Sequence, residues 1–221
     1  MPDVKDMPYW SKLANPPDTE LGGLVGEIRA CRICAEAPLG RPLPHPPRPV
    51  IRAASKARIA VCGQAPGTKV HASGQPFTDA SGDRLREWMG VDVATFYDVS
   101  RVSVVPMGFC FPGQDAKGGD LPPRRECVLT WHDKVFAEMS GLRLILAVGL
   151  YSHAYHLPAW RKQSLSNRVR AFREIMAASE PTVIPLPHPS WRNNGWIRKN
   201  PWFDAELLPV LRKAVADALK D

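Results

Sequence analysis

The sequence predicts an α/β fold, a three-layer α/β/α sandwich with a central, mainly parallel four-stranded sheet. Four short apolar runs are continuous rather than alternating, the pattern of strands covered on both faces. Segments with apolar residues at helical spacing lie between them, so strand and helix alternate as parallel crossovers require. The chain has 221 residues, 44% of them hydrophobic, enough for one sizeable core and too few for two full domains. Residues 1–221 are therefore expected to form a single domain, with 1–20 as a loosely ordered extension.

The elements follow in order. The Pro-rich stretch 38–49 is a connector, because proline fixes φ and lacks a donor. The first expected strand, 58–62, carries Ile59, Ala60, Val61 and Cys62. A helix over 83–89 is expected behind a Ser81 cap, then a strand over 102–105. Pro122 and Pro123 interrupt the chain before a helix over 124–139, where Val128, Trp131, Val135 and Met139 recur at helical spacing. Strands over 144–148 and 182–186 and helices over 150–157, 165–178 and 205–219 complete the pattern, with no internal repeat. Ligands of such sheets bind beyond the carboxyl ends of the strands. Segments 63–67 and 187–190 each follow an expected strand directly, so both should face one crevice.

Lys and Arg total 29 against 22 acidic residues, a formal charge of +7 that favours a polyanionic partner through attraction and counterion release. Many basic proteins bind no nucleic acid, so charge alone does not decide. No apolar run reaches 18 residues, and Met1 to Trp10 are polar and acidic, so a soluble, cytoplasmic chain without a membrane partner is expected. The five cysteines are an odd number, which with no secretory pattern suggests reduced thiols or metal ligands rather than disulfides. Cys31 and Cys34 form a C-x-x-C pair, Cys110 and Cys127 flank a Gly/Pro-rich loop, and Cys62 belongs to the core.

Two segments carry candidate chemistry. Gly63-Gln64-Ala65-Pro66-Gly67, followed by Gly74-Gln-Pro-Phe77-Thr-Asp79-Ala-Ser-Gly82, places glycines where backbone must approach a ligand and amides ahead of a helix. Alone this is weak, since Gly/Pro turns follow strands in most α/β proteins. The second, His188-Pro-Ser190-Trp191-Arg192-Asn193-Asn194-Gly-Trp196, joins an imidazole, a hydroxyl, amides, aromatics and a guanidinium.

Spaced in this way, with a strand before each, the two segments resemble the signature motifs of the uracil-DNA glycosylase superfamily, over residues from about 31 to 196. The cysteine spacing is similar to that of families four and five, whose members carry a four-iron, four-sulfur (4Fe–4S) cluster. That resemblance implies Cys31, Cys34, Cys110 and Cys127 as ligands. Four thiolates would equally suit zinc, or the cysteines are ordinary thiols. The first motif departs from families one and four, which have a carboxylate where this chain has Gln64 and Ala65. Family five has alanine there and a carboxylate after its Phe-Thr, nearly where Asp79 stands. The asparagine that reads the uracil edge in several families has no equivalent on the strand 102–105; Ser103 is the nearest polar group.

The resemblance implies hydrolysis of the N-glycosidic bond of uracil, or of another deaminated base, in DNA. Such cleavage passes through an oxocarbenium-like sugar and an anionic leaving base. Asp79 would orient or deprotonate water and offset the sugar charge, and His188 would donate to the base carbonyl. Gln64, Ala65, Gly67 and Ser103 would contact base or water, and Phe77 would stack on the flipped base. The loop 191–202, with Ser190, Trp191, Arg192, Asn193 and Asn194, would hold phosphates and insert a wedge. No obligate protein partner is implied.

Each signal has a plainer reading. An aspartate before a helix is more often a cap, Phe77 alone reads as core, and His188 could be a satisfied structural imidazole. His71, in the first motif's loop, reads as surface. His132, His153 and His156 read as structural or solvent-facing, and the loop after Ser190 could dock a protein. A DNA-binding protein with little catalysis, or an enzyme of free nucleotides, are the rival functions.

Overall fold

The computed structural model describes residues 20–220, so nearly all of the extension expected over 1–20 lies outside the described residues. Helix α1 (Glu20–Ala30) buries Leu21, Val25 and Ile28, one stripe at spacings of four and three. A short α2 (Ile33–Glu36) leads through the Pro-rich connector to β1 (Ile59–Cys62). Then come α3 (Thr68–Ser73), α4 (Ala80–Met89), α5 (Val93–Tyr97) and β2 (Val102–Val104). The next helical stretch comprises α6 (Arg125–Cys127), a π-turn (Val128–His132) and α7 (Asp133–Ala137). After β3 (Leu144–Val148) come α8 (Leu150–His156), α9 (Leu165–Arg170) and α10 (Phe172–Ala177), then β4 (Thr182–Leu186). A 3₁₀ turn (Trp191–Asn193), α11 (Asn194–Lys199), a π-turn (Phe203–Leu207) and α12 (Leu208–Ala218) close the described chain.

The four strands form one parallel sheet in the order β2-β1-β3-β4. Ile59 pairs with both Val102 and Leu144, and Leu144 with Thr182. Side chains alternate across the sheet. Ile59, Val61, Val104, Leu146 and Ile184 face a cluster built with α4, α5, α9 and α12. Ala60, Cys62, Ile145, Ala147 and Val183 face a second cluster built with α1, α7 and the ends of α8 and α10. Helices thus cover both faces, giving the expected three layers. The chain leaves β1 toward β2 on one side and returns to β3 on the other, so a crevice opens at the carboxyl end of β1.

Several boundaries differ from expectation for local reasons. Helix α4 begins at Ala80, and its cap is Asp79, whose carboxylate accepts from the Gly82 amide, so Ser81 lies inside the helix. The helix expected over 165–178 breaks at Ala171 into α9 and α10. The segment 191–202, expected as a loop, coils into a 3₁₀ turn and α11. Helices α2, α3 and α5 have six residues or fewer, too short to display a period in sequence.

Candidate active site at the carboxyl ends of the strands

Beyond Cys62 the chain keeps its sheet-like pairing for two more residues. The Gly63 and Gln64 carbonyls accept from the amides of Met107 and Gly108, so the turn after β1 is stitched to the segment after β2. The turn after β1 and the Pro106 edge therefore share a wall. His188 follows β4, two strands away, and completes the other side. Between them lies a cavity of about 300 Å³ whose walls include Gln64, Ala65, Gly67, Phe77, Asp79, Asp120, His188 and Arg192.

Phe77 is held in an unusual conformation. Its φ of 58° is left-handed, a region costing an L-residue about 1–2 kcal/mol. Its carbonyl accepts from Arg86 Nη1 at 3.0 Å and from the Tyr97 hydroxyl at 2.8 Å. Arg86 is buried and ion-paired to Asp83, so the anchor is itself fixed. Gly82 makes room, because a Cβ there would stand 1.8 Å from the Phe77 oxygen. The ring ends up beside Gly63, where a Cβ would lie 3.6 Å from its tip, and meets Phe96 edge-on at 6.0 Å. A strained turn held from three sides is a device for aiming one side chain.

The carboxylate of Asp79 does two jobs in one place. Oδ1 accepts from the Gly82 amide at 3.3 Å, capping α4, and the residue also lines the cavity. His188 is oriented by the amide of Ser190, which donates to Nδ1 at 3.2 Å. An amide can only donate, so Nδ1 carries no proton and the neutral ring presents Nε2–H. Burial holds the imidazole below its ordinary pKa, with Arg192 adding to the effect and Asp79 and Asp120 opposing it. The ring is therefore a neutral donor at neutral pH. Asn193 Nδ2 donates to the His188 carbonyl at 2.7 Å, and Arg84 Nη1 bridges Asn194 Oδ1 at 2.8 Å and the Ser190 carbonyl, tying α11 to α4.

The structure does not bring Ser103 to the cavity. Strand alternation turns it away from Val104, which lines the wall, and its Oγ accepts from the Ala54 amide at 3.2 Å. Pro106 stands on the wall in the region where Ser103 was expected. Among the residues expected at DNA, Arg192 reaches the cavity, Trp191 is 74% exposed on the rim, and Asn193 and Asn194 are engaged in the bonds described above. His71 is not on the wall. It packs against His45, with ring centroids 4.3 Å apart, and against Phe111. His132 and His153 are fully buried and bonded to main-chain carbonyls, and His156 lies against Phe136 and Tyr155. Sequence reading missed Gln114 and Asp120, which enter the cavity from the loop between Cys110 and Cys127.

The four predicted ligand cysteines come from three segments into one region, with Cys34 packed beside Cys110. Cys34, Cys110 and Cys127 are buried and Cys31 is half-buried. Cys127 donates to Cys34, which brings the Cys34 thiol down to about 7 and pushes Cys127 up. Burial pushes Cys110 up to about 12, and it feels the charge of both Cys34 and Cys31. Among the described residues no three His, Cys, Asp or Glu donors close around a point as a single bound ion would require. Cys62, fully buried on the sheet face, takes no part.

A solution NMR structure described as a candidate uracil DNA glycosylase from Methanosarcina acetivorans matches 74% of this chain and 94% of its own, at 16% identity and a TM-score of 0.42. The family model for the uracil DNA glycosylase superfamily matches residues 51–212, which contain β1 to β4, both signature segments and the whole cavity wall apart from Val50. The chain belongs to the uracil DNA glycosylase superfamily.

Proposed function

We propose that the chain is a monofunctional DNA glycosylase that flips uracil, or another deaminated base, into this cavity and hydrolyses its N-glycosidic bond. The observation that carries the reading is the convergence of Phe77, Asp79 and His188 on one solvent-connected cavity. An extruded base would lie against the Phe77 ring, replacing part of the stacking lost from the duplex. Nε2–H of His188 would donate to the base carbonyl as negative charge develops there, an interaction that strengthens toward the transition state. Asp79, carrying the opposite charge, would offset the positive sugar and orient water. Arg192 and the exposed Trp191 on the rim suit a phosphate contact and a wedge at the vacated position.

Four converging thiols, one already inclined to the thiolate, fit a four-thiolate ligand set. We assign them as ligands of a structural iron–sulfur cluster, whose contribution would be to fix the loop between Cys110 and Cys127.

The test is single-turnover release of uracil, xanthine and hypoxanthine from oligonucleotides. Wild type is expected to release at least one of them, and Asp79→Asn and His188→Ala each to slow release by about 10²-fold or more. Tight binding of DNA without release of any deaminated base would point to a binding protein instead, and preference for free nucleotides over DNA to a nucleotide enzyme.

A further inference from the structure

The first motif offers Gln64 and Ala65 where a carboxylate would stand directly after β1, and Asp79 is tied to the amino end of α4. A second carboxylate nevertheless faces the cavity. Asp120 sits at the end of the Gly-rich loop 113–121, whose shape is built from within. The Asp115 carboxylate accepts from the amides of Lys117 at 2.8 Å and Gly119 at 2.9 Å. The Leu121 amide returns to the Gly113 carbonyl at 2.9 Å, and Gln114 bridges Asp120 across the loop.

The side chain of Asp120 is aimed by this framework. Gln114 Nε2 donates to its Oδ1 at 3.2 Å, while Oδ2 points to Gly67, where a Cβ would stand 3.4 Å away. Its negative charge reaches His188, acting on the imidazole in the same direction as Asp79. Asp120 therefore lies between the turn after β1 and the turn after β4, on a different element from Asp79, and both carboxylates line one cavity. Gln114, itself on the wall, holds one carboxylate oxygen and leaves the other beside Gly67, which also lines the cavity.

We propose that Asp120 is a second catalytic carboxylate, the group that receives the proton of the attacking water, with Gln114 as its positioning residue. The assignment rests on the glycosylase reading and deepens it. In the step, the oxygen of water forms a bond to the anomeric carbon of the sugar and gives one proton to Asp120. The glycosidic carbon–nitrogen bond breaks with its electron pair leaving on the base. The base anion is held by His188 Nε2–H and takes a proton from solvent, and Asp120 returns its proton to solvent. Asp79, with Oδ1 occupied by the helix cap, supplies the charge opposite the sugar. The division explains why this chain needs no carboxylate at Gln64 or Ala65. The loop carries it instead.

The experiment is single-turnover release from the deaminated-base oligonucleotide that wild type cleaves best, with Asp120→Asn, Gln114→Ala and the double variant, alongside binding to DNA with a stable abasic analogue. Asp120 is exposed and its side chain bonds only to Gln114 among the described residues, so Asp120→Asn should melt with wild type. Release is expected to fall about 10²-fold or more in Asp120→Asn, with binding of the abasic analogue unchanged or tighter. Gln114→Ala should cost about tenfold in wild type and almost nothing in the Asp120→Asn background, the non-additivity of a residue acting through another. Release by Asp120→Asn within threefold of wild type, with Asp79→Asn impaired, would overturn Asp120 as a catalytic group and leave the glycosylase reading standing. Wild type inactive on every deaminated base would remove both.

Discussion

The side chain of Phe77 can occupy its place only because residue 82 has none. Its carbonyl is pulled inward by Arg86 and Tyr97 to a point that a Cβ on Gly82 would touch at 1.8 Å, and a backbone oxygen cannot step aside as a flexible side chain could. Gly82→Ala is therefore expected to destabilise by about 1–3 kcal/mol, as overpacking does, and to slow base release by turning the Phe77 ring off the cavity wall. Gly26→Ala is the contrast. It lies within α1 with open space around its Cβ position, so the change should stabilise by about 0.5–1 kcal/mol through helix propensity. Urea unfolding of the two variants reads the opposite signs. Equal effects would show that the Phe77 turn yields readily. The glycine was visible in the sequence, but which carbonyl would fill its space depends on a turn that closes back on its own helix.

At the scale of elements, the loop between Cys110 and Cys127 links the thiols to the cavity. The ring of His132 in the π-turn lies between the carbonyls of Cys127 and Pro106, to one of which its single N–H donates, and stacks on Phe109 at 5.0 Å, so one buried imidazole packs the thiol-bearing segment against the cavity wall. Protein purified without oxygen is expected to be brown, with iron and sulfide in comparable amounts. Cys34→Ser should bleach it and loosen the loop that carries Gln114 and Asp120, seen as faster amide exchange over 106–123. A colourless wild-type protein with stoichiometric zinc would replace the cluster with that ion. The two cysteine pairs could be read from their spacing. That the intervening loop delivers Gln114 and Asp120 to the cavity could not, because a Gly-rich loop has no period and its direction is set by contacts with Pro44 and the Gly67 turn.

Across the whole molecule, burial favours the neutral form of five histidines. Burial lowers the pKa of His71, His132 and His188, takes His153 to about 4, and takes His156 to about 3 with His132 and His153 adding to the effect. Their folded values lie below the ordinary 6.5, so on acidification the unfolded chain takes up protons first. Stability should be full above about pH 6.5 and fall as pH drops toward 4, with His153 alone contributing on the order of 3 kcal/mol. Urea midpoints at pH 7.5 and 5 measure the slope. His156→Leu, which removes a buried nitrogen without a hydrogen-bond partner, should flatten it. An unchanged slope in that variant would locate the acid sensitivity elsewhere.

The sequence by itself determined the layers, the four strands and the two signature segments. Continuous apolar runs demand cover on both faces, and a strand followed by a Gly/Pro turn must present that turn at the sheet's edge. Its plainer reading of Asp79 as a helix cap and its reading of Asp79 at the cavity were both realised, because the amino end of α4 opens onto the cavity. Tertiary structure alone decided that Ser103 turns toward Ala54, that Pro106 takes the wall beside the turn after β1, and that Asp120 and His188 face the same cavity. The reason is physical. Periodicity reports which face of an element is buried, whereas the meeting of residues from different loops depends on closures that join distant positions and leave no repeating mark in the chain.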